Sequence, residues 1–331
     1  MTGLVHLGLG AFHRAHQAVY TEDAGGWEIC GVAWRNRVVA DALRGSGGRY
    51  TLVERGPASD RSREVGVIRE ALVAVDDAPA VVERVAAPDT RVVTLTITEG
   101  GYGGGTMIEL LARGLAARAA AGVDEPLAVL SCDNVPQNGE ATRRAVGGGG
   151  PGVTFPSTVA DRITPASGDP LVVVTEPFSQ WVIEDTFLGP RPAWERAGAL
   201  LVPDTRPYEA MKLRLVNASH SALAHLGLPR GHETVADAVA DPELLDFVRR
   251  LLAEELLPTV PDVPGIDLGE FVEQMLERFA NPRIGHRLEQ IAAGSEHKIP
   301  QRLLPSAREL RAAGREPVLI ERVVAAAGVS D

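Results

Sequence analysis

Leu4-Val5-His6-Leu7-Gly8-Leu9-Gly10-Ala11-Phe12-His13-Arg14 decides how the rest of the chain is read. A short apolar run ends in Gly-x-Gly and leads into residues of helical composition, which is how a first strand turns into a first helix. Gly8 and Gly10 let another group approach the backbone closely, and Ala11 and Phe12 open the helix whose N-terminal N–H groups suit a phosphate. His13 stands where the third glycine of a dinucleotide fingerprint is expected, so the same turn also reads as a plain tight connection.

The sequence on either side of this turn repeats its logic. Trp27–Ala33, Thr51–Glu54, Arg91–Thr98, Leu127–Ser131 and Leu171–Val174 read as strands, and Arg14–Ala24, Val38–Arg44, Ala78–Ala86 and Met107–Ala121 as the helices between them. That alternation predicts an α/β fold, a Rossmann-type doubly wound sheet over residues 1–203. From residue 204 to 331 the pattern becomes helical, with Glu209–Leu226, Pro242–Leu257, Leu268–Phe279 and Ile284–Ala293 as helices and Ile299–Leu304 as a Pro-bounded segment. A mainly α-helical C-terminal domain follows, joined to a first domain whose Gly147–Gly152 stretch is a flexible connection.

Composition narrows the function. Forty-four acidic against 33 basic side chains give a formal net charge of -11, which opposes nucleic acid and anionic lipid and leaves small molecules as the expected partners. Cys30 and Cys132 are far apart and predict reduced, buried thiols. The chain starts on a strand with no leader-like segment and has no apolar run of spanning length, so the expectation is a cytoplasmic protein without a membrane anchor. His6, His13 and His16 do not share a metal-binding helical spacing, and no metal is expected.

Two places carry chemistry. After the second strand stand Trp34-Arg35-Asn36-Arg37 without a carboxylate, so Arg35 leans toward tolerating a 2′-phosphate, although exposed arginines are commonly only solvated. In Lys212-Leu213-Arg214-Leu215-Val216-Asn217-Ala218-Ser219-His220, the offsets of five and eight residues keep an amine, an amide and an imidazole broadly on one side of a helix. A desolvated lysine can accept a hydroxyl proton while an amide donor holds the developing alkoxide. The same spacing also suits two surface residues and one core histidine.

His6–His16, Thr96–Tyr102, Ser131–Asn134, Val159–Pro165, Glu176–Phe178 and the helix Lys212–His220 together resemble the polyol-specific long-chain dehydrogenases typified by mannitol dehydrogenase. That family includes fructuronate and tagaturonate reductases and mannitol-1-phosphate dehydrogenase. The resemblance implies metal-free hydride transfer between NAD, with NADP as the variant, and a polyol, keto-sugar or sugar acid. It implies Lys212 as general base, Asn134 and Asn217 as donors to the alcohol oxygen, His220 as a substrate-positioning group and Glu209 as a route for the proton. Cofactor contacts are implied for Gly8, Gly10, Ala11, Phe12, Arg35, Thr98, Glu99, Asn134 and Asp161, and substrate contacts for Asn134, Asp161, Lys212, Asn217, His220 and Lys298.

Departures from the family pattern bear on the substrate. Gln290 stands where the family carries an arginine and His286 where it carries an aspartate, and the stretches after Tyr102 and after Asn138-Gly139 are short. The sequence also stops soon after Leu304, where relatives continue. Two alternatives stay open: a sugar-phosphate dehydrogenase using Arg283, Arg287 and Lys298, and a redox-inactive dinucleotide-binding regulator. The oligomeric state is not fixed by these features.

Overall fold

The computed structural model describes residues 3–329, which divide into two compact units. The first runs through Arg55 and from Asp60 to Thr205, and the second comprises Gly56–Ser59 and the chain from Arg206 onward.

In chain order the strands of the first unit are β1 (Leu4–Leu7), β2 (Ile29–Ala33), β3 (Tyr50–Arg55), β4 (Asp60–Val65), β5 (Ile68–Val73) and β6 (Val92–Leu95). They continue as β7 (Leu127–Ser131), β8 (Val153–Thr154), β9 (Thr158–Asp161), β10 (Val172–Thr175), β11 (Gln180–Glu184) and β12 (Leu200–Val202). Six of them form one sheet in the order β5-β2-β1-β6-β7-β8, and every pairing in it is parallel. Its strands β1, β2, β6 and β7 are buried along their whole length, as a sheet covered on both faces requires. The helices α1 (Ala11–Ala15), α2 (Gln17–Ala24), α3 (Arg37–Gly45), α4 (Ala78–Ala86), α5 (Thr106–Ala120) and α6 (Asn138–Ala145) connect them. The chain leaves β1 toward β2 on one side and returns to β6 on the other, which puts the topological switch point between β1 and β6.

Two expected strands lie elsewhere. β3 and β10 belong to a separate sheet ordered β10-β3-β4, because β3 alternates buried Tyr50 and Leu52 with exposed Thr51 and its partner β4 is almost wholly exposed and charged. Such strands can bury one face only. A third sheet, β12-β11-β9, carries the buried Trp181. The helix expected over Arg14–Ala24 breaks at His16 into α1 and α2, where the ring Nε2–H donates to the Gln180 carbonyl at 2.9 Å and the imidazole packs between Phe12 and Trp181. Cys30 and Cys132 are buried and unbridged.

The second unit contains α7 (Arg206–Met211), α8 (Ala218–Gly227), α9 (Val235–Ala240), α10 (Pro242–Arg250) and α11 (Leu268–Phe279). They are followed by α12 (Leu288–Ala292), α13 (Ser295–Arg302), α14 (Leu304–Ala312) and α15 (Val318–Ala326). Wide π-helical turns at Lys212–Asn217 and Leu251–Leu256 follow α7 and α10. The helix expected over Ile284–Ala293 shrinks to α12, since Gly285 sits at φ +62° and Thr234 bridges Arg287 in extended form. Residues 299–302 of the expected Pro-bounded segment are the end of α13 instead. Among the described residues no helix is long and apolar enough to cross a membrane.

Candidate functional site

The carboxyl edge of the parallel sheet collects most of the residues expected at a cofactor. Gly8, Gly10, Ala11 and Phe12 follow β1, Arg35 follows β2, Thr98 and Glu99 follow β6, and Asn134 follows β7. Parallel pairing alone delivers these four loops to one edge.

The β1 turn is held hard. A side chain at Gly8, whose φ is +111°, would put a Cβ 2.0 Å from the Thr96 carbonyl oxygen, so only glycine lets the turn pack against the end of β6. The Gly8 carbonyl accepts from Thr96 Oγ1 at 2.8 Å and from His6 Nε2–H at 3.1 Å, while His6 Nδ1 accepts from the Thr94 hydroxyl at 2.7 Å. Gly10 is different: it is exposed, and a Cβ added there would meet nothing closer than the Gly8 oxygen at 3.7 Å, so the space above the turn is open. Arg35 is exposed, with its guanidinium carbon 3.7 Å from the centre of the half-exposed Trp34 ring. The neighbouring Arg37 is already paired with Asp76 at 2.5 Å.

Asp133 carries no expectation from the sequence, though it lies inside the stretch Ser131–Asn134. Its carboxylate accepts from two successive backbone N–H groups, Ile97 at 3.1 Å and Thr98 at 2.8 Å, and from the Tyr102 hydroxyl at 3.0 Å. Thr98 needs that support because it sits at φ +65°, a conformation costing a non-glycine residue about 1–3 kcal/mol. Burial raises the Asp133 carboxyl above its ordinary range, against the lowering effect of the donated hydrogen bonds. We expect Asp133→Ala to lower stability by roughly 1.5–3 kcal/mol and to weaken cofactor binding by loosening Thr98–Glu99. Urea melts together with cofactor titration check this, and unchanged affinity would remove the loop from the site.

Asp161 lies at the end of β9, in the third sheet, and is buried. The start of β9 is tied to the end of β7, since Thr158 Oγ1 donates to the Ser131 carbonyl at 2.6 Å and Asn138 bridges the Thr158 and Asp133 carbonyls. The adjacent Arg162 is ion-paired with Glu54 at 2.5 Å.

In the second unit Lys212, Asn217 and His220 stand on one continuous helical path through α7, the π-helical turn and α8. They are 9%, 8% and 8% exposed, which removes the surface-helix alternative for the lysine and the amide. The i→i+5 pitch of the π-helical turn rotates Asn217 toward the side of Lys212, where a regular helix would carry it further round, and such turns concentrate at functional sites. Glu209, one turn earlier, is half-buried. The His220 ring stacks on Phe279 at 4.1 Å and meets His286 edge-on at 5.0 Å. Desolvation first, then the neighbouring His286, Arg278, Arg302 and Lys212, hold His220 well below the ordinary imidazole range, so it is neutral. Desolvation likewise lowers His286 to about 4.

α13 brings two more basic groups. Arg302, for which the sequence offers no signal, donates to the Ser221 hydroxyl at 3.1 Å and toward the Asn217 carbonyl at 3.5 Å. Lys298, one turn before it, is half-buried, and its ammonium donates to the Ala293 carbonyl at 2.5 Å and the Ile291 carbonyl at 3.3 Å. Gln290 is exposed. Arg287, one of the arginines considered for a phosphate, engages Glu233 and Glu289. Among the described residues no group of three or more His, Cys, Asp or Glu side chains is arranged to hold a metal ion.

Comparison with known proteins places these features. The pattern described as Mannitol dehydrogenase Rossmann domain matches residues 2–196, and the Mannitol dehydrogenase C-terminal domain matches residues 204–328. D-mannonate oxidoreductase of Escherichia coli (strain K12) is 36% identical over 364 aligned residues, covering 92% of this chain and 75% of the relative. Mannitol dehydrogenase 2 of Saccharomyces cerevisiae is 35% identical over 366, covering 93% and 73%. These alignments are longer than the 331-residue chain itself, so the relatives carry internal segments that this chain lacks. The solved ternary complex of Pseudomonas fluorescens mannitol 2-dehydrogenase with NAD and D-mannitol superposes with a TM-score of 0.90 at 35% identity, covering 98% of this chain and 78% of the other. With both domains matched in order and the fold shared throughout, the chain belongs to the mannitol dehydrogenase family of oxidoreductases.

Proposed function

We propose that the protein is a metal-independent, NAD-dependent dehydrogenase that interconverts a polyol or aldonate-type sugar acid and its keto form, with Lys212 as general base. The observation that carries this reading is the burial of Lys212, Asn217 and His220 to the same degree on one π-bulged helix. Ordinary surface positions do not hold an amine and an amide out of water in this way.

The first unit suits the cofactor: the turn is open above Gly10 and closed by necessity at Gly8, at the switch point where doubly wound sheets bind dinucleotides. Gly8, Gly10, Ala11 and Phe12 would take the pyrophosphate end, Arg35 the adenosine ribose, and Thr98, Glu99, Asn134 and Asp161 the nicotinamide end. Arg35 without an acidic neighbour leaves NADP as an accepted variant. Bound NAD supplies the hydride acceptor for alcohol oxidation.

The remaining steps belong to side chains. Lys212 Nζ, as the free amine, takes the hydroxyl proton, and Glu209 relays it to water. The Asn217 amide donates to the oxygen as charge develops on it. Neutral His220 offers a hydrogen bond without adding charge next to Lys212. Lys298, tied to two carbonyls, must exchange at least one of them to reach a substrate oxygen. We also infer a cytoplasmic setting, where NAD and sugar acids are both present.

The test follows NADH and NADPH absorbance with purified protein and fructose, fructuronate, tagaturonate, fructose 6-phosphate and the corresponding alcohols. NADH oxidation with a ketose or keto acid is expected. Silence on every substrate, with NADH binding verified by fluorescence, would sink the proposal.

A further inference from the structure

A cavity of about 350 Å³ in the first unit, lined by none of the residues assigned above to cofactor or substrate, holds charge that the fold leaves unbalanced. Its wall contains Arg61, Arg63 and Arg162 against Asp23 and Glu54, one positive charge in excess within a chain whose net charge is -11. Both acids are already engaged. Asp23 takes the Arg63 fork at 2.6 and 3.0 Å, and Glu54 takes the side chain of Arg162, which is 2% exposed.

The donors are not all used. Arg162 spends its own on Glu54 and on the Ala15 and Glu176 carbonyls, which makes it a structural cation. Arg61 has no ion-pair partner among the described residues, although β3–β4 pairing sets it directly opposite Glu54. The Arg63 Nε is also unused among them. The buried Tyr20 hydroxyl accepts from Ser179 Oγ at 3.3 Å and keeps its own proton for an acceptor.

We propose that this cavity is a second ligand site, binding a small hydroxylated carboxylate. Its acid group would meet the Arg61 fork and Arg63 Nε, and its hydroxyls Tyr20 and the remaining acceptor capacity of Glu54. A planar guanidinium with its donors free matches a carboxylate in geometry as well as charge. The cavity is of the size that small-molecule sites start from. This inference does not depend on the proposed activity.

Isothermal titration of the full chain with sodium gluconate, at ionic strength matched with sodium chloride, tests it. Saturable binding is expected, weakened at least about tenfold in Arg61→Ala, since losing a charged two-pronged contact costs at least that factor. Arg61 is exposed, so its replacement leaves the core intact. Sorbitol, with hydroxyls and no charge, and phosphate, with charge and no hydroxyls, should both bind more weakly than gluconate. No saturable gluconate signal, equal binding by Arg61→Ala, or equal binding of sorbitol would each overturn the site. Binding lost in Lys212→Ala and kept in Arg61→Ala would also overturn it, by assigning gluconate to the catalytic residues.

Discussion

Lys212→Ala is expected to lower kcat by about 10²–10⁴-fold, the contribution typical of a positioned general base, while the affinity for NADH stays within about twofold. The separation follows from where the residues sit. Lys212 lies on the helical path of the second unit, whereas the residues assigned to the dinucleotide belong to the first, all but Asp161 at the carboxyl edge of its parallel sheet. A loss confined to KM would instead make Lys212 a binding group, and unaltered turnover would remove it from the chemistry. Added primary amines sharpen the test, because a missing proton acceptor is open to partial replacement from solution and a misfolded site is not.

Stability is expected to fall steeply as pH drops from about 7 to 5. His6 is lowered to about 3 and His286 to about 4, and His13 and His220 also lie well below the ordinary imidazole range, in each case chiefly through desolvation. A histidine whose folded value lies below its unfolded value of about 6.5 contributes stability that is fully present above that value. That stability is lost as pH falls, because the unfolded chain binds the proton first. For His286 the window runs from 6.5 down to about 4, and for His6 down to about 3. His6 and His286 each cost about 2 kcal/mol between pH 7 and 5, a sizeable part of the roughly 5–15 kcal/mol that holds a typical domain folded, and His13 and His220 act in the same direction.

The arrangement of His6 and His13 adds to the penalty, since their buried rings stack at 3.3 Å and a charge on one would oppose a charge on the other. Urea denaturation at pH 7.5, 6.0 and 5.0 measures the effect. His286→Gln should flatten the pH dependence by about one proton, and transition midpoints that do not move with pH would contradict the assignment of these groups as neutral.

The first strand, its Gly-x-Gly turn and the succession of crossovers were legible because each is a local pattern. The helices Ala78–Ala86 and Leu268–Phe279 fall where their apolar spacing puts them. The helix with Lys212, Asn217 and His220 was legible as a chemical cluster, but not as a wide turn. A π-helical segment has no local signature in Lys212-Leu213-Arg214-Leu215-Val216-Asn217, and its formation is decided by packing. Asp133 had a faint signal, an acid just past the end of a parallel strand, whereas Arg302 had none, because its partners Asn217 and Ser221 are some eighty residues away.

Residue order by itself determined the α/β architecture followed by a helical lobe, the glycine turn at the switch point and the types of group available for proton transfer. Periodicity and turn chemistry act over a few residues, and a parallel sheet then carries all its carboxyl-end loops to one edge. Tertiary structure alone decided that β3 and β10 leave the main sheet, that Thr98 holds a strained φ under the Asp133 carboxylate, and that Lys298 is tethered to two carbonyls. It also decided that His220 and His286 meet without charge. In each case the balance is between desolvation and partners distant in sequence, and only the folded chain brings those partners together.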